Sequence, residues 1–257
     1  MDLPSDLFGR IAAAAAAETL PRFRRGGAVA NKVDGGFDPV TEADREAERA
    51  IREVIEGVFP EHGILGEEWG GERLESRHVW VIDPIDGTRS FISGLPLWGT
   101  LVGLLEEGNA VQGMMAQPFT GELFFTAGAE ARYEGPGGAR VLQTRNTTSL
   151  ADATLCTTTP SIFRSDERSA YDRVEASVRL ARYGTDCYAY AMLASGNIDL
   201  VVESGLQAYD IVALIPLIEK AGGQVTNWQG GPAEGGGQVL AAATAELHAA
   251  AMELLNA

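Results

Sequence analysis

Cysteine is nearly absent: Cys156 and Cys187 are the two in 257 residues, and they share no CxxC spacing. Their scarcity argues for a reducing compartment and against a zinc site. Histidine is scarce as well, and the scattered His62, His78 and His248 offer no ligand cluster. Positive charge is the next shortage. Lys and Arg total 20 against 36 Asp and Glu, and the net charge of −16 repels polyanions such as nucleic acid or an acidic membrane. Small ligands and divalent cations suit such a chain better. Long apolar runs are missing too. The alanine-rich residues 11–17 follow Asp2 and Asp6 and precede Glu18, so neither a membrane span nor a cleavable leader is expected, and the expected location is cytoplasmic. No repeat or disordered tail stands out. What the chain has in quantity is apolar side chain, 45% of its residues, ample for one large domain or two that share an interface.

Chemistry concentrates in Val79-Trp80-Val81-Ile82-Asp83-Pro84-Ile85-Asp86-Gly87-Thr88. Residues 79–82 are β-branched and aromatic, which predicts a buried strand, and Pro84 is expected to stop it. Asp83 and Asp86 then fall on the loop at its end. Two acids so close repel each other unless a cation lies between them, and carboxylate oxygens are what Mg²⁺ prefers. Gly87 lets backbone amides approach an anion, and a helix starting here would point its unpaired N–H groups at a phosphate. The same residues also suit a plain Asp-Gly turn. Two further segments deliver acids at element ends: Ile64-Leu65-Gly66-Glu67-Glu68 and Ala208-Tyr209-Asp210-Ile211. Taken singly, Glu67 reads as an exposed acid and Asp210 as a helix N-cap.

Around these segments the pattern is regular. The N-terminal alanines predict a helix of four to five turns, capped by Ser5 and ending near Pro21. Thr41 predicts the cap of a second helix, with Asp44 closing a capping box and residues 47–58 giving an apolar stripe. Residues 98–105 and 110–116 read as a hairpin, with another strand at 121–126, so residues 1–145 are expected to form an α+β half: a helix pair on an antiparallel sheet. Beyond it strands and helices alternate, which predicts an α/β half over 146–257, including one helix over 210–221.

Glu67, then Asp83-Pro84-Ile85-Asp86-Gly87-Thr88, then Tyr209-Asp210, in that order, resemble the inositol monophosphatase superfamily over nearly the whole chain. The resemblance implies a layered α-β-α-β-α sandwich of the inositol monophosphatase and fructose-bisphosphatase type, commonly a homodimer, acting on a small-molecule phosphate ester. It implies two or three Mg²⁺ ions: Glu67, Asp83 and the Ile85 carbonyl would hold one, Asp83, Asp86 and Asp210 a second, and a weaker third would lie near Glu67. Asp44, in Val40-Thr41-Glu42-Ala43-Asp44, would pair with Thr88 to orient the attacking water, although it can also serve simply as an acid at a helix N-terminus. The amides of Gly87 and Thr88 would hold phosphate oxygens. Lys32 lies where the family often has a lysine, but a loop lysine is usually just solvated.

Two stretches, Arg89 to Thr100 and Tyr183-Gly184-Thr185-Asp186-Cys187-Tyr188-Ala189-Tyr190, look like the histidinol-phosphatase branch. Asp186 and Glu203 would then bind a cationic substrate group, and Arg89 would line the pocket. Asp186 also suits a helix N-cap, and Arg89 a fold or subunit contact. The expected function is hydrolysis of L-histidinol phosphate in histidine biosynthesis. An inositol-1-phosphatase or broad sugar phosphatase is the alternative, and a non-catalytic phosphate-ligand-binding protein a more distant one.

Overall fold

The computed structural model describes residues 3–25, 29–31 and 39–257. Lys32 lies outside them. Helix α1 (Leu7–Thr19) leads through β1 (Val29–Asn31) and β2 (Pro39–Thr41) to α2 (Glu42–Glu56). The chain continues through β3 (Gly63–Gly66), β4 (Gly70–Glu72), β5 (His78–Asp86) and the short α3 (Thr88–Ile92). A meander follows: β6 (Gly99–Glu106), β7 (Asn109–Gln117), β8 (Glu122–Ala127), β9 (Glu130–Gly135) and β10 (Gly138–Val141). The second half contains β11 (Thr154–Thr157), α4 (Ser165–Glu175), β12 (Leu180–Tyr183), α5 (Asp186–Ala194) and β13 (Leu200–Leu206). It ends with α6 (Ala208–Ile211), α7 (Leu214–Lys220), β14 (Gln224–Asn227), β15 (Gly237–Ala242) and α8 (Ala245–Leu255).

Among the described residues β1 pairs with β2, and two larger sheets stack through helices. The first has the order β10-β9-β8-β7-β6-β5-β3-β4 and is antiparallel except where β3 runs parallel to β5. The second has the order β12-β11-β13-β15-β14, with β12, β11 and β13 parallel. Strand side chains alternate between faces, and that alternation builds the layers. Val102 and Leu104 pack under Ile11, Ile51 and Ile55 of α1 and α2. Leu101 and Met115, on the opposite face, meet Leu193, Leu214 and Leu217 of α5 and α7, which also pack on Val201 and Val239 of the second sheet. Leu200 and Val202 then face Tyr171 of α4 and Leu247 of α8. The result is the α-β-α-β-α sandwich.

Three local expectations are corrected. Ser5 does not cap α1: the N-cap is Asp6, which makes no side-chain cap, and the helix spans only 13 residues. Pro84 does not stop β5. The strand runs on to Asp86 because its pairing with β6 slips between Asp83 and Asp86, and the Thr100 hydroxyl donates 2.8 Å to the Pro84 carbonyl, tying down the irregularity. The helix expected over 210–221 is two helices, broken at Val212 and Ala213. That break lies on the first sheet, where Gly103 and Gly113 admit it. A Cβ on Gly113 would stand 2.0 Å from the Ala213 carbonyl oxygen, so a side chain there would push α6 away.

Candidate active site

Strand pairing brings the first acids together. β3 lies parallel to β5, and the Glu67 N–H donates 3.1 Å to the Ile82 carbonyl, so Glu67 leaves its strand beside Asp83. Asp83 is 2% exposed, and its Oδ1 accepts the Ile85 N–H at 3.0 Å, closing the slipped segment on itself. Gly87 takes φ 84°, a left-handed turn that favours glycine, and starts α3. The Thr88 hydroxyl donates 3.2 Å to the Ile85 carbonyl. It therefore does not donate to Asp44 as expected. Asp44 is buried, and its Oδ2 accepts both the Thr41 N–H at 2.8 Å and the Thr41 hydroxyl at 2.6 Å, forming the expected capping box. Its Oδ1 has no hydrogen-bond partner among the described residues.

Asp210 arrives from the second half on α6, where it is the third helical residue and accepts the Gln207 N–H at 2.6 Å. Asp83, Asp86 and Asp210 each offer an oxygen, and those atoms lie within 4.8 Å of one another. They line a cleft of about 420 Å³ together with Glu67, Thr88 and Asp186. Burial first, and then the charges of Glu67, Asp86 and Asp210, push the Asp83 carboxyl well above the usual range. Asp86 is likewise pushed well up by burial, Asp210 and Asp186, while the Cys187 N–H, 2.7 Å from its Oδ2, opposes the shift. Hard oxygen donors converging in this way could hold a metal ion.

The start of α5 packs directly against Asp86 and Gly87, where a Cβ on Gly87 would stand 3.0 Å from Asp186 Oδ2. Asp186 is its first helical residue rather than its N-cap, and takes φ 42°. Its Oδ2 accepts the hydroxyl of the buried Ser90 at 2.8 Å. Burial raises its pKa, while Ser90, Thr158 and Arg89 pull it down. Arg89 is exposed at the rim.

Glu203 is not brought to the cleft wall. It is 2% exposed, and its Oε1 accepts both the N–H of Thr158, at 2.6 Å, and its hydroxyl, at 3.1 Å. Burial pushes its carboxyl up to about 8, so at neutral pH it is mostly protonated and adds little charge to the cleft. A carboxyl raised from 4.5 to about 8 holds its proton better in the folded chain. The stability this contributes is complete below the ordinary value and is lost as pH rises through about 8. Glu203→Gln is therefore expected to gain on the wild type in urea unfolding as pH rises from 5 to 9. A stability difference that does not vary with pH would exclude this.

Sequence reasoning passed over Ser90 and Thr158, which hold Asp186 and Glu203. The signal available for Ser90 was its place in the helix that opens at Gly87; Thr158 carried none beyond ending an expected strand.

The family model described as the inositol monophosphatase family matches residues 7–257. The chain is 42% identical over 231 residues to the bifunctional phosphatase IMPL2, chloroplastic, of Arabidopsis thaliana, covering 86% of this chain and 64% of that longer protein. It thus spans less than two thirds of that relative. It is 32% identical over 258 residues to a histidinol-phosphatase of Mycobacterium tuberculosis, covering 98% of each. An inositol monophosphatase from Zymomonas mobilis has the same fold, with a TM-score of 0.87 and 38% identity, covering 98% of this chain and 96% of that one. Match length, shared fold and the acids gathered at the cleft agree, and the chain belongs to the inositol monophosphatase family of phosphatases.

Proposed function

We propose that this phosphatase is Mg²⁺-dependent and that its preferred substrate is L-histidinol phosphate, hydrolysed to L-histidinol and phosphate in histidine biosynthesis by a cytoplasmic homodimer. The observation that carries the reading is one acidic cleft: Asp83, Asp86 and Asp210 gather in it, and Asp186 lines it beside Asp86. The three gathered acids fit Mg²⁺, because all are carboxylate donors and they repel one another without a counter-charge. Glu67, Asp83 and the Ile85 carbonyl would hold one ion, and Asp83, Asp86 and Asp210 another, with a weaker third near Glu67. When bound, these ions supply positive charge to the phosphoryl oxygens and lower the pKa of the attacking water.

The chain's own residues supply the rest. The amides of Gly87 and Thr88 receive phosphate oxygens and fix the phosphorus in line for attack. Asp44 keeps one oxygen on Thr41 and offers the unpartnered Oδ1 as acceptor for the water's proton. Its pKa, raised mainly by burial, makes it a stronger base than an ordinary carboxylate. Thr88 holds the Ile85 carbonyl in place and keeps its hydroxyl oxygen free to accept. Asp186, fixed by Ser90, faces the leaving alcohol, where histidinol carries its ammonium group. Arg89 closes the rim beside it.

Phosphate release from L-histidinol phosphate and from inositol-1-phosphate, each with Mg²⁺ and with EDTA, tests the reading. The expected result is activity abolished by EDTA and a kcat/KM at least ~10-fold higher for histidinol phosphate, the size one charged pocket contact provides. A preference for inositol-1-phosphate would refute the substrate assignment and leave the metal chemistry standing. Turnover unaffected by EDTA would refute the chemistry.

A further inference from the structure

The turn that carries Glu67 is held from behind by a carboxylate that the chemistry above does not use. Glu48 lies on α2 with none of its surface exposed. Its Oε2 accepts the Glu68 N–H at 2.7 Å, and its Oε1 accepts the Trp69 N–H at 3.3 Å. Arg52, one helical turn on, donates Nε to Glu48 Oε1 at 2.9 Å and Nη2 to the Gly70 carbonyl at 2.5 Å. Its Nη1 reaches Glu72 at 3.4 Å. Gly66 completes the grip: a Cβ there would stand 1.9 Å from Glu48 Oε1, so the strand end rests on this carboxylate only because residue 66 has no side chain. These contacts fall on both sides of Glu67.

A buried ion pair is a poor device for stability alone, because desolvating both charges offsets most of their attraction. What the carboxylate does, and an apolar pair of the same volume could not, is fix the direction of two successive amides. Those amides belong to the two residues after Glu67, so they set the path of the turn that aims it into the cleft. Resting on the phosphatase reading above, we propose that Glu48, braced by Arg52, is a positioning residue for Glu67: it holds the turn ready, so that Mg²⁺ binds without first having to order it.

Glu48→Gln tests this, because one acceptor oxygen becomes an N–H that faces another N–H donor. Mg²⁺ binding is measured by calorimetry on the substrate-free protein, beside the Mg²⁺ dependence of phosphate release. The dissociation constant is expected to rise ~10–100-fold, the usual cost of losing a partner behind a metal ligand, with excess Mg²⁺ restoring turnover. Arg52→Lys keeps the charge but loses the fork to Gly70, and is expected to shift affinity the same way by less. Ile55→Val, in the same helix and facing only the core, is the control: a lower melting temperature with unchanged Mg²⁺ affinity. Folded Glu48→Gln that binds Mg²⁺ as the wild type does would overturn the proposal. So would Ile55→Val shifting the affinity as far as Glu48→Gln does. If Glu48→Gln does not fold, Arg52→Lys decides by the same two readouts. A wild type that neither binds Mg²⁺ nor depends on it would overturn the proposed metal chemistry as well, which separates the two failures.

Discussion

Replacing Asp83 with asparagine is expected to cut phosphate release at least ~10³-fold while making the metal-free protein more stable. The first effect follows from position. Asp83 stands among Glu67, Asp86 and Asp210, and in the proposed chemistry both ions share it. Losing the charge that holds them removes several kcal/mol of transition-state stabilisation, and each ~1.4 kcal/mol is tenfold in rate. The second effect follows from burial. At 2% exposure, surrounded by like charge, the ionised carboxylate is costly, and asparagine has the same shape and keeps an oxygen for the Ile85 N–H. A carboxyl whose folded pKa lies above its unfolded value favours the folded chain at low pH, and that stability is lost as pH rises through the raised value. In EDTA near pH 8 the variant should therefore melt above the wild type. Added Mg²⁺ should reverse the order, because a ligand bound only by the folded state stabilises it. Melting curves in EDTA and in Mg²⁺, beside a phosphate-release assay, check both effects. A variant within tenfold of wild-type turnover, or one that melts lower in EDTA, would refute the role given to Asp83.

That the acids meet was legible only as far as sequence order reaches. The run of residues 79–82 announces a strand, and Gly87 announces a turn that opens a helix, because local sterics and periodicity decide both. Whether Asp83 and Asp86 point to one place depends on the slipped pairing between β5 and β6, which is held by Thr100 from 16 residues away. Nothing at Pro84 shows that the strand survives it. Asp210 reaches the cleft because Gly103 and Gly113 let the break between α6 and α7 lie on the sheet, and a glycine in a strand says only that something comes close. The supporting residues were harder still. Glu48 reads as one acid on the polar face of an amphipathic helix, yet it grips a turn 20 residues on. Ser90 and Asp186 are 96 residues apart, and their contact exists only once α3 and α5 pack together. Glu203 shows the converse: a residue whose type suits a substrate cation, turned inward by the fold and largely uncharged at neutral pH.

With Glu203 turned inward, the proposed attraction for a cationic substrate would rest on Asp186, which makes Asp186→Asn the decisive substitution for selectivity. Its kcat/KM for L-histidinol phosphate is expected to fall ~10–100-fold, with that for inositol-1-phosphate staying within ~3-fold. The magnitude comes from a charge-assisted hydrogen bond to a partly buried carboxylate, roughly 1.5–3 kcal/mol. Asparagine suits the test because it is among the few side chains that tolerate the left-handed backbone at φ 42°, and its oxygen can still accept from Ser90. Alanine would add backbone strain and release Ser90, and so mix a structural loss with an electrostatic one. The inositol phosphate arm guards against a further confusion. Cys187, the next residue, donates its N–H to Asp86, so a disturbed α5 would reach the acidic cluster. In the proposed chemistry the cluster serves the phosphoryl group that both compounds carry, so damage to it would lower both rates alike. Equal losses would therefore assign Asp186 to holding Asp86 in place, and a loss confined to histidinol phosphate would assign it to the ammonium group.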